Sequence, residues 1–380
     1  MASRYARTIW LPLAAFLVCA SLPQAWAKQW TAEYEKQVGD EALAQVKKDY
    51  KLWDNPTEQQ RVQSIVNDLR PFTQRPDVEY QVLLLDTDEE NAFSLPGGTI
   101  CVTRALLPAV QSDAELAGVL AHEMAHNCTY DALEQAQRAQ QISLPLMAAV
   151  IATMLTGRGS EMVGTTLMAG LYVANGILSH YSIKIEAQAD GNGLAYMLAD
   201  HKYNPVGFLT FMERLAAEER GSPPVTLGVF QTHPFSTQRV TVVTDQLLAA
   251  GVEINRRAVT KWDPPQVVAE KVGDQDAQVL SLWGRRLLAF NWAPPESDPT
   301  QRGADMVSRL TTLLAAGAEG WDFWTEPEGD AVVLKGRGET VLTVYPADAA
   351  LVGSKPQQVA DQARNGLEAA FFAERLKRRY

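Results

Sequence analysis

The residues His122-Glu123-Met124-Ala125-His126 determine how the middle of this chain folds. Ser112 and Glu115 before them have the spacing of a capping box, so we predict a helix that begins there and continues to about Asn127. Histidines four positions apart lie one turn apart on the same face of a helix. Two such neutral imidazoles can bind one zinc ion, and Glu123 beside them can accept a proton from water.

The alternative interpretation is a helix that carries two histidines on its polar face. Leu116, Val119 and Leu120 argue against it, because they indicate a largely buried helix and buried imidazoles need polar partners. A third ligand of the right type is also present downstream. Glu186 can complete a site of two histidines and one glutamate that leaves the fourth position to water.

Glu186 and Asp190 are four positions apart and share one face of a second predicted helix, residues 178–199. Asp190 can accept a hydrogen bond from the outer nitrogen of a zinc-binding histidine, which fixes the tautomer of that histidine. Taken without His122 and His126, the two carboxylates would favour a solvated charged face. Small residues beside them would let two helices approach closely: Ala187, Ala189, Gly191 and Gly193.

A third candidate element contains His233 and Arg239. His233 can donate a hydrogen bond to the oxyanion of a tetrahedral intermediate, and Arg239 can orient His233 or share the negative charge. Two alternatives stay open. His233 can instead bind zinc in a resting state, or it can be a structural histidine next to a proline at a helix start.

Together these elements resemble the HtpX-like and CAAX-prenyl-protease zinc metalloendopeptidases, metallopeptidase family forty-eight. The resemblance covers residues 31–250, and its matching motifs are Asn91-Ala92-Phe93…Pro96-Gly97-Gly98, His122-Glu123-Met124-Ala125-His126, Glu186…Ala189-Asp190 and His233-Pro234…Arg239. It implies a gluzincin fold with one zinc ion per chain. It also implies endoproteolysis, with Glu123 as the base and His122, His126 and Glu186 as the metal ligands. Two departures from the family pattern are Ile183, where relatives often carry arginine, and Tyr130-Asp131, where many carry a basic residue and histidine.

A strand is predicted at Glu79–Leu85 and a second at Thr99–Thr103, with a turn at Asn91–Gly98 that leads into the second. The strand around Gly98–Thr103 could hold an extended polypeptide substrate by edge pairing, with Asn91 and Ala92 near the cleft. We therefore predict Asn91, Ala92 and Gly98 as substrate-binding residues.

The fold class predicted for the whole chain is α+β, with three parts. Residues 1–27 have the charged, apolar and small-residue order of a secretory signal peptide. Residues 28–258 form a mostly helical metalloprotease domain with a small sheet, and residues 262–380 form a small α+β domain. Export leaves Cys101 and Cys128 in an oxidising compartment, where the sequence permits a disulfide but does not establish one.

The C-terminal residues suggest a strand–strand–helix duplication in which Gly284 corresponds to Gly336. Five of the nine tryptophans lie here, which favours an aromatic core over a partner-binding surface. They are Trp262, Trp283, Trp292, Trp321 and Trp324.

Two apolar stretches within residues 142–178 favour a buried helical hairpin, with peripheral membrane contact as the alternative. The net charge of −11 disfavours binding to nucleic acid, which requires a basic patch. We therefore predict an exported, periplasmic zinc metalloendopeptidase in protein quality control. The alternative is a latent protease domain that acts as a chaperone-like or partner-binding protein through its C-terminal domain.

Overall fold

Helices surround the two histidines in the first part of the chain. The computed structural model describes residues 30–138, 182–221 and 237–377. The predicted signal peptide, the apolar stretches within residues 142–178 and His233 lie outside these residues. The described helices of this part are α1 (Ala32–Asp49), α2 (Pro56–Leu69), α3 (Leu106–Ala109), α4 (Asp113–Cys128), α5 (Asp131–Arg138), α6 (Ile183–Asp200), α7 (Val206–Gly221) and α8 (Thr237–Ala249).

Side-chain caps account for where several of these helices begin. Ser112 accepts a hydrogen bond from the backbone N–H of Glu115, as the sequence predicts for α4. The carboxylate of Glu115 binds the backbone N–H of Gln111 rather than that of Ser112. It also accepts two bonds from Arg214 and one from Thr210, both on α7. Glu115 therefore attaches α7 to the start of the histidine helix.

A three-stranded sheet packs beside these helices in the order β1–β3–β2. Strand β1 is Gln81–Leu85, β2 is Ala92–Leu95 and β3 is Thr99–Thr103. β3 pairs in parallel with β1 and antiparallel with β2. The predicted turn at Asn91–Gly98 is wrong for its first half, which is strand β2. β3 is consequently the central strand, so the edge beside α4 belongs to β2 and not to the residues around Gly98–Thr103.

Close helix packing brings α4 against α6 and α7. A Cβ on Gly193 of α6 would lie 3.0 Å from Ala121 C and from His122 N, which are backbone atoms of α4. A Cβ on Gly207 of α7 would lie 2.4 Å from Ala114 C. Only glycine allows backbones this close. The predicted close approach is therefore achieved at Gly193, whereas Gly191 has only Gln246 Nε2 nearby, at 3.7 Å.

The C-terminal region consists of two units that each contain three antiparallel strands. The first has β4 (Gln266–Val272), β5 (Gln275–Leu282), β6 (Arg285–Phe290) and α9 (Pro299–Ala315). The second has β7 (Phe323–Glu328), β8 (Ala331–Gly336), β9 (Glu339–Val344), α10 (Pro346–Leu351) and α11 (Pro356–Lys377). Both units contribute to one apolar core, so neither buries its helix alone.

The predicted duplication is present, but the sequence prediction missed the first strand of each unit. Gly284 corresponds to Gly338 rather than to Gly336. Trp283-Gly284 and Arg337-Gly338 each form a two-residue hairpin loop in which both residues have positive φ. Two such residues make a type I′ turn.

The tryptophan prediction is wrong for three of the five indoles. Trp292, Trp321 and Trp324 are 39, 69 and 41% exposed, and the buried rings of the C-terminal core are phenylalanines. Within the described part of the chain, no helix is both long enough and apolar enough to cross a membrane.

Cys101 and Cys128 are buried free thiols, so the disulfide that the sequence left open is not formed. Burial raises the pKa of the Cys101 thiol. Cys128 Sγ lies 3.4 Å from the hydroxyl oxygen of Tyr80.

Candidate metal centre

Helices α4 and α6 bring three donor groups together. His122 Nε2 and His126 Nε2 are 3.0 Å apart. Glu186 Oε2 lies 3.5 Å from His122 Nε2, and Glu186 Oε1 lies 3.4 Å from His126 Nε2. All three residues are buried, and among the described residues they form a group that could hold a metal ion.

The donor set fits zinc in both chemistry and spacing. Two imidazole nitrogens and one carboxylate oxygen are borderline ligands of the kind that catalytic zinc sites use. Ligands about 2.0–2.1 Å from a tetrahedral ion lie about 3.3 Å from one another. The observed separations of 3.0, 3.4 and 3.5 Å bracket that value. A single cation can therefore be held here with little movement of the three side chains.

Two carboxylates hold the outer nitrogens of the histidines. His122 Nδ1 lies 3.0 Å from Asp190 Oδ1, as the sequence predicted. His126 Nδ1 hydrogen bonds to Asp131 Oδ2 at 2.7 Å, and Thr129 donates a second bond to the same oxygen. A carboxylate beside each outer nitrogen favours a proton on Nδ1, which would leave the Nε2 lone pair available to a cation. Asp131 was not predicted to contact the site, because its position was seen only as a departure from the family pattern.

Arg239 binds carboxylates on the side of the site that faces α8. Its Nε and Nη2 donate to Asp190 at 2.7 Å each, and its Nη1 lies 2.8 Å from Glu186 Oε2. The guanidinium is nearly buried. These contacts make Arg239 a positioning residue for the third ligand. Its predicted role in orienting His233 or sharing oxyanion charge stays a prediction, because His233 lies outside the described residues.

The buried charges change the pKa values of the site. Burial alone would lower the pKa of His126, but hydrogen bonds to Asp131 and Glu186 raise it to about 10. The pKa of His122 is likewise raised by Asp190 and Glu186 against the effect of burial. Burial would raise the pKa of Asp190, and the Arg239 charge holds it below its usual range. Because the pKa of His126 is raised, a cation that binds its Nε2 would displace a proton.

Glu123 lies on the histidine helix α4 and contacts strand β2. The backbone N–H of Ser94 donates to Glu123 Oε2 at 3.1 Å, and the Ser94 hydroxyl donates to the Glu123 carbonyl at 2.8 Å. Along an antiparallel pair, the backbone N–H and C=O groups point toward the partner strand at every second residue. In β2 they point toward β3 at residues 91, 93 and 95, and away from β3 at Ala92 and Ser94. The outer edge of β2 therefore faces the base.

The predicted substrate-binding residues have different environments. Ala92 lies on β2 at this edge, and Asn91 precedes it with its backbone N–H bonded to Thr103. Gly98 lies in the turn after β2, where a Cβ would be 2.6 Å from Val78 Cγ1. Its φ of +97° also requires glycine. The structure thus gives Gly98 a turn-forming role, and its part in substrate binding stays a prediction.

A buried ion pair holds the end of the histidine helix, and no pattern in the sequence predicts it. Arg75 binds both carboxylate oxygens of Glu35 and the carbonyl of Asn127, at distances of 2.6–3.1 Å. Glu35 also accepts the backbone N–H of Gly97. Arg75 stacks on the ring of Tyr130, which has a φ of +58° just before Asp131. The pair therefore connects α1, the β2–β3 turn and the segment that positions Asp131.

Comparison with known proteins agrees with this geometry. The sequence profile of Peptidase family M48 matches residues 56–246. The chain is 29% identical over 177 residues to the mitochondrial metalloendopeptidase OMA1 of Schizosaccharomyces pombe, covering 47% of this chain and 49% of the relative. It is 28% identical over 211 residues to the beta-barrel assembly-enhancing protease of Escherichia coli, covering 54% and 42%. It is 31% identical over 206 residues to metalloendopeptidase OMA1 of Danio rerio, covering 51% and 42%.

The matches thus span slightly less than half the length of these curated relatives. The profile match, in contrast, covers half of this chain and includes every described residue of the candidate metal centre. The chain therefore belongs to Peptidase family M48, a family of metallopeptidases.

Proposed function

We propose that this protein is a zinc-dependent endopeptidase that cleaves unfolded or misassembled polypeptides in the cell envelope. The observation that carries the proposal is the convergence of His122, His126 and Glu186 beside Glu123. When bound, one zinc ion would supply the Lewis-acid chemistry that polarises a peptide carbonyl and makes water acidic enough to deprotonate near pH 7.

The remaining steps belong to side chains of this protein. Glu123 accepts the proton of the attacking water and passes it to the leaving amine. Asp131 and Asp190 keep the two imidazoles oriented throughout, and Arg239 holds the Glu186 carboxylate in place. His233 is the proposed donor to the oxyanion, on the sequence evidence alone.

The substrate chain binds as an additional strand on β2. Main-chain groups of Ala92 and Ser94 face away from β3, at an edge whose Ser94 N–H already contacts the base. An extended segment paired there would present its backbone to Glu123 irrespective of its side chains. This mode of binding favours unfolded substrates, because a folded protein rarely offers an unpaired strand of sufficient length.

The proposed location rests on the sequence of residues 1–27 and on a bacterial relative whose name refers to beta-barrel assembly. N-terminal sequencing of the protein recovered from a bacterial periplasmic fraction should give Lys28 as the first residue. Recovery of an uncleaved chain in the cytoplasm would contradict the proposed export.

The activity is tested with β-casein as an unfolded substrate. Wild-type protein loaded with zinc should cleave it, chelator should stop cleavage, and added zinc should restore it. E123Q should keep one zinc per chain while its rate falls by about 10²–10⁴-fold. E253Q, at an exposed glutamate, is the matched control and should cleave normally. Turnover by E123Q at the wild-type rate would refute the assignment of the base. Chelator-insensitive binding of casein without cleavage would instead favour the chaperone-like alternative.

A further inference from the structure

A cavity of about 460 Å³ lies at the junction of the linker after residue 258, the first C-terminal sheet and helix α11. Its aromatic walls are Trp262 and Trp283, and Asp263 and Glu374 contribute carboxylates. We call this cavity the tryptophan pocket. Its volume lies within the range of ordinary ligand sites, and it is remote in sequence from the metal centre.

Trp283 occupies the first position of a type I′ turn with a φ of +46°. A bulky side chain in this left-handed region is an outlier, since such turns favour Asn, Asp or Gly. The equivalent turn of the second unit carries Arg337, whose guanidinium bonds to Asp322, Ala316 and Gly317. Trp283 instead places its ring along the tryptophan pocket. Both turns therefore keep a bulky residue in a strained conformation, and at Trp283 the side chain held in this way lines a cavity.

The two indoles are fixed by their nitrogen atoms. Trp262 Nε1 donates to the Arg257 carbonyl, and Trp283 Nε1 donates to the Asp263 carbonyl. Their N–H groups are therefore used within the protein, and what they offer a ligand is the negative face of each ring. Trp283 also stacks edge to face on Phe371, which further limits its rotation. Two fixed ring faces beside carboxylates form an environment that attracts a cation.

The pocket also opens at the end of an exposed sheet edge. Gln266, the first residue of β4, contributes to the lining, and β4 pairs only with β5 among the strands described. An extended chain can add to such an edge through its backbone while one side chain enters an adjacent pocket. The edge and the pocket together therefore fit a polypeptide better than a free small cation.

We propose that the tryptophan pocket binds a lysine or arginine side chain of an extended polypeptide that pairs with β4. The exposed Asp263 supports this occupant, because its carboxylate brings a negative charge to the residues that line the pocket. Glu374 adds a second carboxylate, of which one oxygen binds the buried Arg257. The inference deepens the proposed function, on which it rests for polypeptides as the ligand class.

The test measures binding without catalysis, so its failure and that of the proposed peptidase activity are distinguishable. Fluorescein-labelled nine-residue peptides with a central Arg, Lys, Gln or Leu are titrated into full-length E123Q protein, and fluorescence anisotropy gives the dissociation constants. The Arg and Lys peptides should bind about 5- to 30-fold more tightly than the Gln and Leu peptides, the range typical of a partly desolvated cation–π contact. Equal binding of all four would overturn the proposal.

Variants made in the same E123Q background locate the site. W283N gives the type I′ turn its preferred Asn-Gly sequence while removing the indole, and it should weaken binding of the Arg peptide at least fivefold. D263N changes only an exposed charge and should also weaken it. W321A removes the most exposed indole, which does not line the pocket, and should leave binding unchanged. The proposal would be overturned if D263N and a folded W283N both bound the Arg peptide with normal affinity. It would also be overturned if W321A lost as much affinity for this peptide as W283N does.

Discussion

Replacing Gly193 with alanine should separate the two helices that build the metal centre. The new Cβ would lie 3.0 Å from Ala121 C and His122 N, which is closer than an ordinary van der Waals contact of about 3.4–4 Å. Both contacts are backbone atoms within α4, so no flexible side chain can move aside. Either α6 or α4 must shift by a few tenths of an ångström. That shift acts directly on the pair of helices that supplies His122 and Glu186.

The magnitude follows from two opposing terms. Alanine is favoured over glycine in a helix interior by about 1 kcal/mol, because glycine loses more backbone entropy on folding. Overpacking a close contact costs about 1–3 kcal/mol. G191A, two positions away on the same helix, has the same gain but meets only Gln246 Nε2 at 3.7 Å. The propensity term therefore cancels between the two variants, and G193A should be less stable than G191A by about 1–3 kcal/mol.

The assay is urea unfolding of the metal-free proteins followed by circular dichroism, together with zinc titration against a competing chelator. G193A should show both the lower free energy of unfolding and a weaker affinity for zinc, whereas G191A should match the wild type in zinc affinity. Equal stability and equal zinc affinity of the two variants would show that the approach of α6 to α4 does not control the site.

Three further outcomes follow from the same contacts. D131N should weaken zinc binding about 10- to 100-fold in a chelator competition, because the charge that orients His126 is lost; unchanged affinity would remove Asp131 from the site. D348A should lower the free energy of unfolding of the chain by about 3–5 kcal/mol, since it leaves the buried Arg302 guanidinium without its carboxylate. E326A, which removes one partner of an exposed ion pair, is the control and should change the free energy of unfolding little. An equally small change in D348A would contradict the argument. Removing zinc held at 100 times its dissociation constant should lower the free energy of unfolding by about 2.7 kcal/mol in thermal or urea titrations; an unchanged transition would mean that no zinc had bound to the folded state.

The candidate metal ligands were accessible to sequence analysis because the chemistry of a metal site limits their spacing. A helix places residues i and i+4 on one face. The spacing of His122 and His126 therefore predicts one helix face that carries polar side chains, and the spacing of Glu186 and Asp190 predicts a second, without any tertiary information. The structure brings the two faces together at 3.0–3.5 Å. Their relative orientation depends on the close packing at Gly193, whose small size the sequence also revealed.

Asp131 and the Glu35–Arg75 pair were missed because nothing local distinguishes them from exposed charges. Glu35 lies in the first turn of an amphipathic helix, where an acidic residue is expected for its interaction with the helix dipole. Its burial is decided by Arg75, 40 positions later. Arg239 was found, but its bidentate bond to Asp190 requires knowing that α8 packs against α6.

Edge strands account for most of the errors in the fold. β2 is followed at once by Pro96-Gly97-Gly98, so the sequence pattern extends the predicted turn over its four buried residues. β4 has no fully buried residue and contains Glu270 and Lys271, and β7 contains Pro327. Such residues are tolerated at sheet edges, where one side of the backbone has no partner strand. A pattern method that expects alternating burial overlooks strands of this kind.

The central claim is that His122, His126 and Glu186 hold one zinc ion beside a separate base. The most direct measurement is the metal content of purified protein by mass spectrometry, combined with the rate of casein cleavage. Wild-type protein and E123Q should each contain one zinc per chain, with only the wild type active, whereas E186A should lose both metal and activity. Full zinc occupancy and cleavage in E186A would contradict the account.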